Sequence, residues 1–259
     1  MDIIKQIKAK CVELEEEHEF TILFAVESGS RLWGMSSKDS DYDVHLVFYY
    51  PIERYLSIQK PKDTSTWMSG NKILDINGFD IYKYTRLLLK SNPNMIDWTM
   101  SNIIYYGDKN RIAPFIEFAK NDFNPFTLYN FYYSISENAL KLISKGNRHY
   151  KKYLYVLRGL LNAKWIVEKK SLPPYNFEKV VNDLSLDSKL RSAILDLLFK
   201  KREASEKSEV QGDLDLILPF IDESIASKEI QLESLVKRKP TEEHYRIFNQ
   251  VIQDLLIKR

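Results

Sequence analysis

Cysteine is almost missing from this chain: Cys11 is the only one in 259 residues. A single thiol can form no intrachain disulfide and no cysteine-based zinc site, which fits a reducing, cytoplasmic setting. Glycine is scarce as well, at 8 residues, and this favours helix over a glycine-rich β architecture. Neither sign of charge dominates. The 38 Lys and Arg stand against 36 Asp and Glu, a net charge of +2, so global charge points to no class of partner. No apolar run approaches the length of a membrane span. The first residues, MDIIKQIKAKCVELEEEHEF, carry charges throughout, where a signal peptide needs an uninterrupted apolar core. A soluble, intracellular protein without membrane contact is expected.

What is present is ordinary globular material, with 44% hydrophobic and 13% aromatic residues. Apolar Ile3, Ile4, Ile7, Val12 and Leu14 among Lys and Glu predict an amphipathic helix over 2–18. FTILFAVES (20–28) reads as a buried strand and DYDVHLVFYY (41–50) as a second strand with one polar end. Between them GSRLWGMSSKDS has the composition of a loop around a short helix. Residues 51–71 look irregular apart from a short helix at 53–59. NKILDINGFDIY (71–82) reads as a third strand, or as a hairpin turning at Asn77-Gly78. Short helices are expected at 85–90 and in NMIDWTMS.

After about residue 110 strand signals vanish. Helical periodicity marks 111–120, 126–145, 149–169, 177–184, 187–203, 213–236 and 240–257, and prolines stand at plausible starts. ASEKSEVQGD (204–213) reads as a mobile polar loop. The expected architecture is α+β: a small mixed sheet with helices over 1–110, then an all-helical domain over 111–259.

The chemistry-bearing stretch is Gly29-Ser30, ten further residues, then Asp41-Tyr42-Asp43. Side chains alternate along a strand, so Asp41 and Asp43 share a face. Two neighbouring carboxylates repel each other unless a cation lies between them. Mg2+, or Mn2+ in its place, takes oxygen ligands and leaves room for substrate phosphates. Two such ions about 3.5–4 Å apart can clamp the attacking and leaving oxygens of an in-line phosphoryl displacement. Gly29 and Ser30 suit phosphate oxygens: a bare backbone, helix-start amides and a hydroxyl. Arg31 can reach the same triphosphate or pair with Glu27 or another carboxylate. Ser40 can cap the loop, donate to phosphate or orient Asp41.

Gly-Ser, a spacer of about ten, then Asp-x-Asp resembles the signature of the polymerase beta nucleotidyltransferase superfamily. Ser28 departs from it, because an apolar residue generally precedes the glycine. The resemblance implies a third carboxylate on a neighbouring strand, for which Asp75 and Asp80 are candidates. They are five apart, so on one continuous strand they face opposite ways. Asp80, just before a helix, is the favoured of the two. Three longer segments narrow the resemblance: ESGSRLWGMSSKDSDYDV, GFDIYKYTRLLLKSNPNMIDW and KKYLYVLRGLLNAKWIVEKKSLPPYNFE. Together they resemble the YcgL-type, or RNA repair pathway polymerase-beta-like, proteins over most of residues 20–180. The resemblance implies transfer of a nucleotidyl group from an NTP such as ATP, with RNA ends among the acceptors.

Other residues invite weaker readings. His45 shares the face of Asp41 and Asp43, as a metal neighbour, a base or simply a structural histidine. Residues 141–170 hold nine Lys and Arg against one Glu, interleaved with Tyr and Trp. Lys145, Arg148, Lys151, Lys152 and Arg158 form a candidate nucleic-acid patch; Leu154, Leu157, Leu161 and Trp165 have the spacing of a core face. The alternatives to an RNA-directed enzyme are transfer to a small molecule or protein side chain, and a catalytically silent nucleotide-binding protein.

Overall fold

The computed structural model describes residues 2–205, 208–211 and 214–257, so the expected loop at 204–213 lies partly outside the described residues. In chain order the elements begin α1 (Ile3–His18), β1 (Thr21–Ser28), α2 (Gly29–Leu32), β2 (Tyr42–Tyr49), α3 (Ile52–Leu56), β3 (Thr64–Met68) and β4 (Leu74–Asp80). There follow α4 (Ile81–Leu89), α5 (Pro93–Met100), β5 (Ile104–Gly107), α6 (Ala113–Asn121), α7 (Pro125–Ser144) and α8 (Tyr150–Lys169). The chain continues through α9 (Phe177–Asp183), α10 (Ser188–Glu203), α11 (Ile217–Ala226), α12 (Lys228–Glu233) and α13 (Glu242–Leu256). This is an α+β protein, as the sequence pattern implies. No helix among the described residues is long and apolar enough to cross a membrane.

Two compact units divide the chain. One comprises Met1–Gly29, Asp41–Phe123 and Lys239–Arg259; the other comprises Ser30–Ser40 and Asn124–Arg238. The chain passes between them after residues 29, 40, 123 and 238, so each unit takes chain from both sides of the other. The aromatic packing of the sheet unit explains α6 and α13. Phe24 on β1 meets Tyr84 of α4 edge-on, Tyr84 meets Phe115 of α6, and Phe115 lies 4.4 Å from Phe248 of α13. All four rings are buried, each worth about 2–3 kcal/mol in transfer free energy.

The sheet of this unit has the order β3-β4-β2-β1-β5. β2 and β4 are parallel and the other pairs antiparallel. Ile7, Cys11 and Leu14 of α1 recur at helical spacing and share a core with Ile22, Val44, Leu46, Phe48, Leu74 and Ile76. Alternation sends Asp43, His45 and Val47 of β2 to the opposite face. There Trp98 of α5 stacks on His45 at 4.5 Å and tilts against Phe79 of β4 at 5.0 Å. Asn77-Gly78 is not a turn: β4 runs straight through it, and a side chain at Gly78 would strike that of Leu46. The hairpin bends earlier, at 69–73, which leaves β3 as an edge strand the sequence pattern does not announce.

In the helical unit, α8 is buried along most of its length, by Tyr153, Leu154, Val156, Leu157, Leu160, Leu161 and Ala163 among others. Gly159 lets α7 come close, since a Cβ there would run into Ser136 Oγ and Tyr132 O. Ser136 Oγ donates to Val156 O at 2.9 Å between the two helices. The helix expected over 213–236 is broken at Ser227 into α11 and α12.

Candidate active site

Asp43 sits in the second position of β2, and the ladder fixes its neighbours. Its register partner on β1 is Ser28 and its partner on β4 is Asp75. Register partners project to the same face, so Asp43 and Asp75 stand side by side on strands about 4.8 Å apart. Asp41 precedes β2 by one residue and has the same parity as Asp43. Asp75 Oδ1 accepts a hydrogen bond from Asn77 Nδ2 at 2.9 Å.

Gly29 follows β1 with φ +66°, in the left-handed region, and a side chain there would strike Asp43 Oδ2. Glycine thus serves two needs at once, a conformation that L residues resist and room for a carboxylate beside the backbone. Glu27, 1% exposed, braces the same strand end. Its Oε1 accepts the amide of Asp43 at 3.1 Å and its Oε2 accepts the Tyr105 hydroxyl at 2.5 Å. Spacing along the chain offers Glu27 only as a partner for Arg31; its role in holding β2 depends on cross-strand pairing that such spacing does not reveal.

Asp80 is elsewhere. Its ladder partner is Phe48, five residues along from the Asp43–Asp75 pair, or roughly 16 Å at the rise of a strand. It caps α4, with Oδ1 accepting the Tyr82 amide at 2.9 Å and Oδ2 the Tyr55 hydroxyl at 2.5 Å. Burial raises its pKa against the pull of those two donors. The sequence favours Asp80 as third carboxylate, whereas the parallel register of β4 sets Asp75 beside Asp43 and Asp80 five residues further along the strand. His45 lies on the Asp43 face, but its ring is stacked on Trp98, and burial lowers its pKa to about 4.

The residues suit a divalent cation in their chemistry, as paired carboxylate oxygens on one face of the sheet. Among the described residues, though, no group of three or more His, Cys, Asp or Glu side chains is drawn together closely enough to hold one. What is formed is a two-carboxylate ledge, with Asp41 next to it in the chain.

Within the helical unit, the segment Ser30–Ser40 is tightly bonded. Arg31 Nη2 donates to Ser40 O at 2.6 Å, and Ser40 Oγ accepts the Ser37 amide at 3.0 Å. Arg31 thus ties one end of the segment to the other. Of the basic patch, Lys145 and Arg148 are exposed. Lys151 and Lys152 are half-buried, with Nζ atoms 5.8 and 5.9 Å from the Tyr155 ring. Arg158 does not belong on this surface. It is 5% exposed and lies 3.6 Å over the Trp33 ring, because residue 158 falls on the inward face of a helix buried almost all round.

Residues 3–254 match the RNA repair pathway DNA polymerase beta family. The chain belongs to that family. This meets the expectation raised by Gly29-Ser30, Asp41-x-Asp43 and the three longer segments. The chain is also 31% identical over 259 residues to the "Uncharacterized protein YcgL" of Bacillus subtilis (strain 168), covering 98% of this chain and 96% of that one. A solved nucleotidyltransferase-like protein from Exiguobacterium sibiricum 255-15 aligns with 96% of this chain and 80% of its own, at 14% identity and a TM-score of 0.31. That likeness is too distant to bear on the site.

Proposed function

We propose that this member of the family is a nucleotidyltransferase, moving an NMP from an NTP to an acceptor hydroxyl. The observation that carries the reading is the placement of Asp43 between Ser28 and Asp75, with Gly29 bare against its carboxylate. Asp43 and Asp75, with Asp41, would hold Mg2+ or Mn2+. Bound there, a divalent ion supplies neutralisation of phosphate charge and a fixed geometry for displacement. The Gly29 amide, and the hydroxyl of Ser30 that chain continuity keeps one residue away, bind phosphate oxygens. Asp75 accepts the proton of the acceptor hydroxyl at a carboxylate oxygen. The acceptor oxygen bonds to the α-phosphorus, the bond to the β-phosphate oxygen breaks, and pyrophosphate departs with the electron pair. Glu27 holds the backbone of Asp43 in place.

The acceptor in this reading is RNA. The family description names an RNA repair pathway, and the exposed Lys145 and Arg148 with Lys151, Lys152 and Tyr155 combine cations with a ring.

The test is transfer of label from each of the four α-32P-NTPs, with Mg2+ or Mn2+, to total RNA and to a cell lysate. Wild type is compared with the Asp41→Ala/Asp43→Ala variant. Label on RNA that the variant loses supports the proposal and identifies the nucleotide. Label on protein or on a small molecule keeps the transferase and replaces the acceptor. No label, with no binding of any NTP, removes the catalytic reading.

A further inference from the structure

The inward stripe of α10 runs Ile194, Leu197, Leu198 and then Lys201, which is 2% exposed. This is the spacing of a core face, and a leucine at 201 would complete it. A buried ammonium is costly unless polar groups meet it. Here they do: Nζ donates to Ser37 Oγ at 2.9 Å and reaches Ser40 Oγ at 3.4 Å. The next residue acts on the same segment. Arg202 directs Nε and Nη2 at Gly34 O, at 3.0 and 2.7 Å, and anchors Nη1 on Glu178 at 3.1 Å. With Arg31 on Ser40 O, three cations fix Gly34, Ser37 and Ser40, and two of the three are consecutive residues of one helix.

Core packing alone does not ask for this arrangement. An apolar residue at 201 would fill the stripe without desolvating a charge. What the lysine adds is directional hold on a glycine- and serine-bearing segment of ten residues, whose ends are peptide-bonded to Ser30 and Asp41. We infer that Lys201 is a positioning residue, seconded by Arg202: it sets the backbone of residues 31–40, the segment that chain continuity joins to Gly29-Ser30 at one end and to Asp41 at the other. The consequence for nucleotide binding rests on the transferase reading above; the hold on the segment does not.

The experiment uses the full chain with Lys201→Met, Lys201→Arg and Ser37→Ala. Amide hydrogen exchange over 31–40 reads the hold itself. Titration with an NTP and Mg2+, together with KM and kcat where transfer is measured, reads its use. For Lys201→Met we expect exchange over 31–40 to quicken about tenfold or more while α7 and α8 stay within about twofold, the loss of a charged hydrogen bond localised to the segment. NTP affinity should fall about tenfold, with KM moving more than kcat, and Lys201→Arg should recover most of both effects. Should Lys201→Met fail to fold, Ser37→Ala releases the same hydrogen bond from the segment side and is expected to quicken the same amides. Unchanged exchange over 31–40 in these variants overturns the inference, and so does quickened exchange with unaltered NTP affinity. If wild type binds no NTP at all, the transferase reading fails, and the exchange arm still decides whether Lys201 holds the segment.

Discussion

Asp43 and Asp75 are register partners on parallel strands, and both side chains leave the sheet on the face away from α1. Removing either carboxylate should therefore be felt in the chemistry and little in the fold. Asp43→Asn and Asp75→Asn are each expected to lower transfer by about a hundredfold or more. Their melting temperatures should stay near wild type, since asparagine keeps the shape of the side chain and removes one of two like charges on neighbouring strands. Label-transfer assays beside thermal melts check both halves.

Asp80→Asn should behave in the opposite way. It loosens the cap of α4 and the bond from Tyr55, at a cost of about 1–3 kcal/mol, while transfer per folded molecule persists. Denaturant melts and a transfer assay corrected for folded fraction separate it from the Asp75 variant. An Asp80 variant that folds normally and transfers nothing would restore Asp80 to the chemistry.

Gly29→Ala should fail on two counts. The left-handed φ costs an alanine about 1–2 kcal/mol. Its methyl group also displaces the Asp43 carboxylate, and a shift of about 1 Å in a catalytic group can lower rate about a hundredfold. The expected result is a modest loss of stability with a disproportionate loss of transfer.

Lys109 gives a pH signature. Its ammonium is buried, donates to Trp98 O and Ser101 O, and has its pKa lowered to about 8 by burial. Between about pH 8 and 10.5 the unfolded chain binds more protons at this residue than the folded one, so its contribution to stability rises with pH in that window. Relative to Lys109→Met, wild type should gain on the order of 2 kcal/mol between about pH 7.5 and 9.5. Paired urea melts across that range check it; a flat difference would mean that the amine is not desolvated.

The basic segment around α8 divides into two kinds of residue. Lys145→Ala/Arg148→Ala should leave stability unchanged and lower the salt dependence of RNA binding by about 0.7 for each phosphate no longer engaged. Arg158→Ala should instead destabilise the fold, because the guanidinium is buried over Trp33, by about 1–3 kcal/mol. Filter binding at several salt concentrations, beside melts, distinguishes them.

Much of the fold is legible in the sequence. Strong apolar runs at 20–28 and 41–50 and helical spacing after 110 mark the right elements, and Gly29, Asp41 and Asp43 stand out by spacing alone. What escapes has physical reasons. β3 (TSTWM) is an exposed edge and shows no apolar run, and β5 is only four residues long. Gly78 looks like half of a turn because the Leu46 side chain that requires it lies on another strand. The choice between Asp75 and Asp80 depends on pairing register, which no single strand encodes. Lys201 hides in a run of basic residues that local charge would place in solvent, though Ile194, Leu197 and Leu198 before it mark the inward stripe.

The threading of the two units bears on how the chain is made. The sheet unit needs α13, which the ribosome delivers after the whole helical unit. The helical unit needs residues 30–40, delivered before most of the sheet. Neither can finish as a contiguous stretch during synthesis, so the early chain must wait with Phe115 lacking its Phe248 neighbour and Gly34, Ser37 and Ser40 without the cations of α10. Fragments cut at residue 110 or 123 are not miniature proteins, and isolating either half would require joining separated pieces of chain or circular permutation.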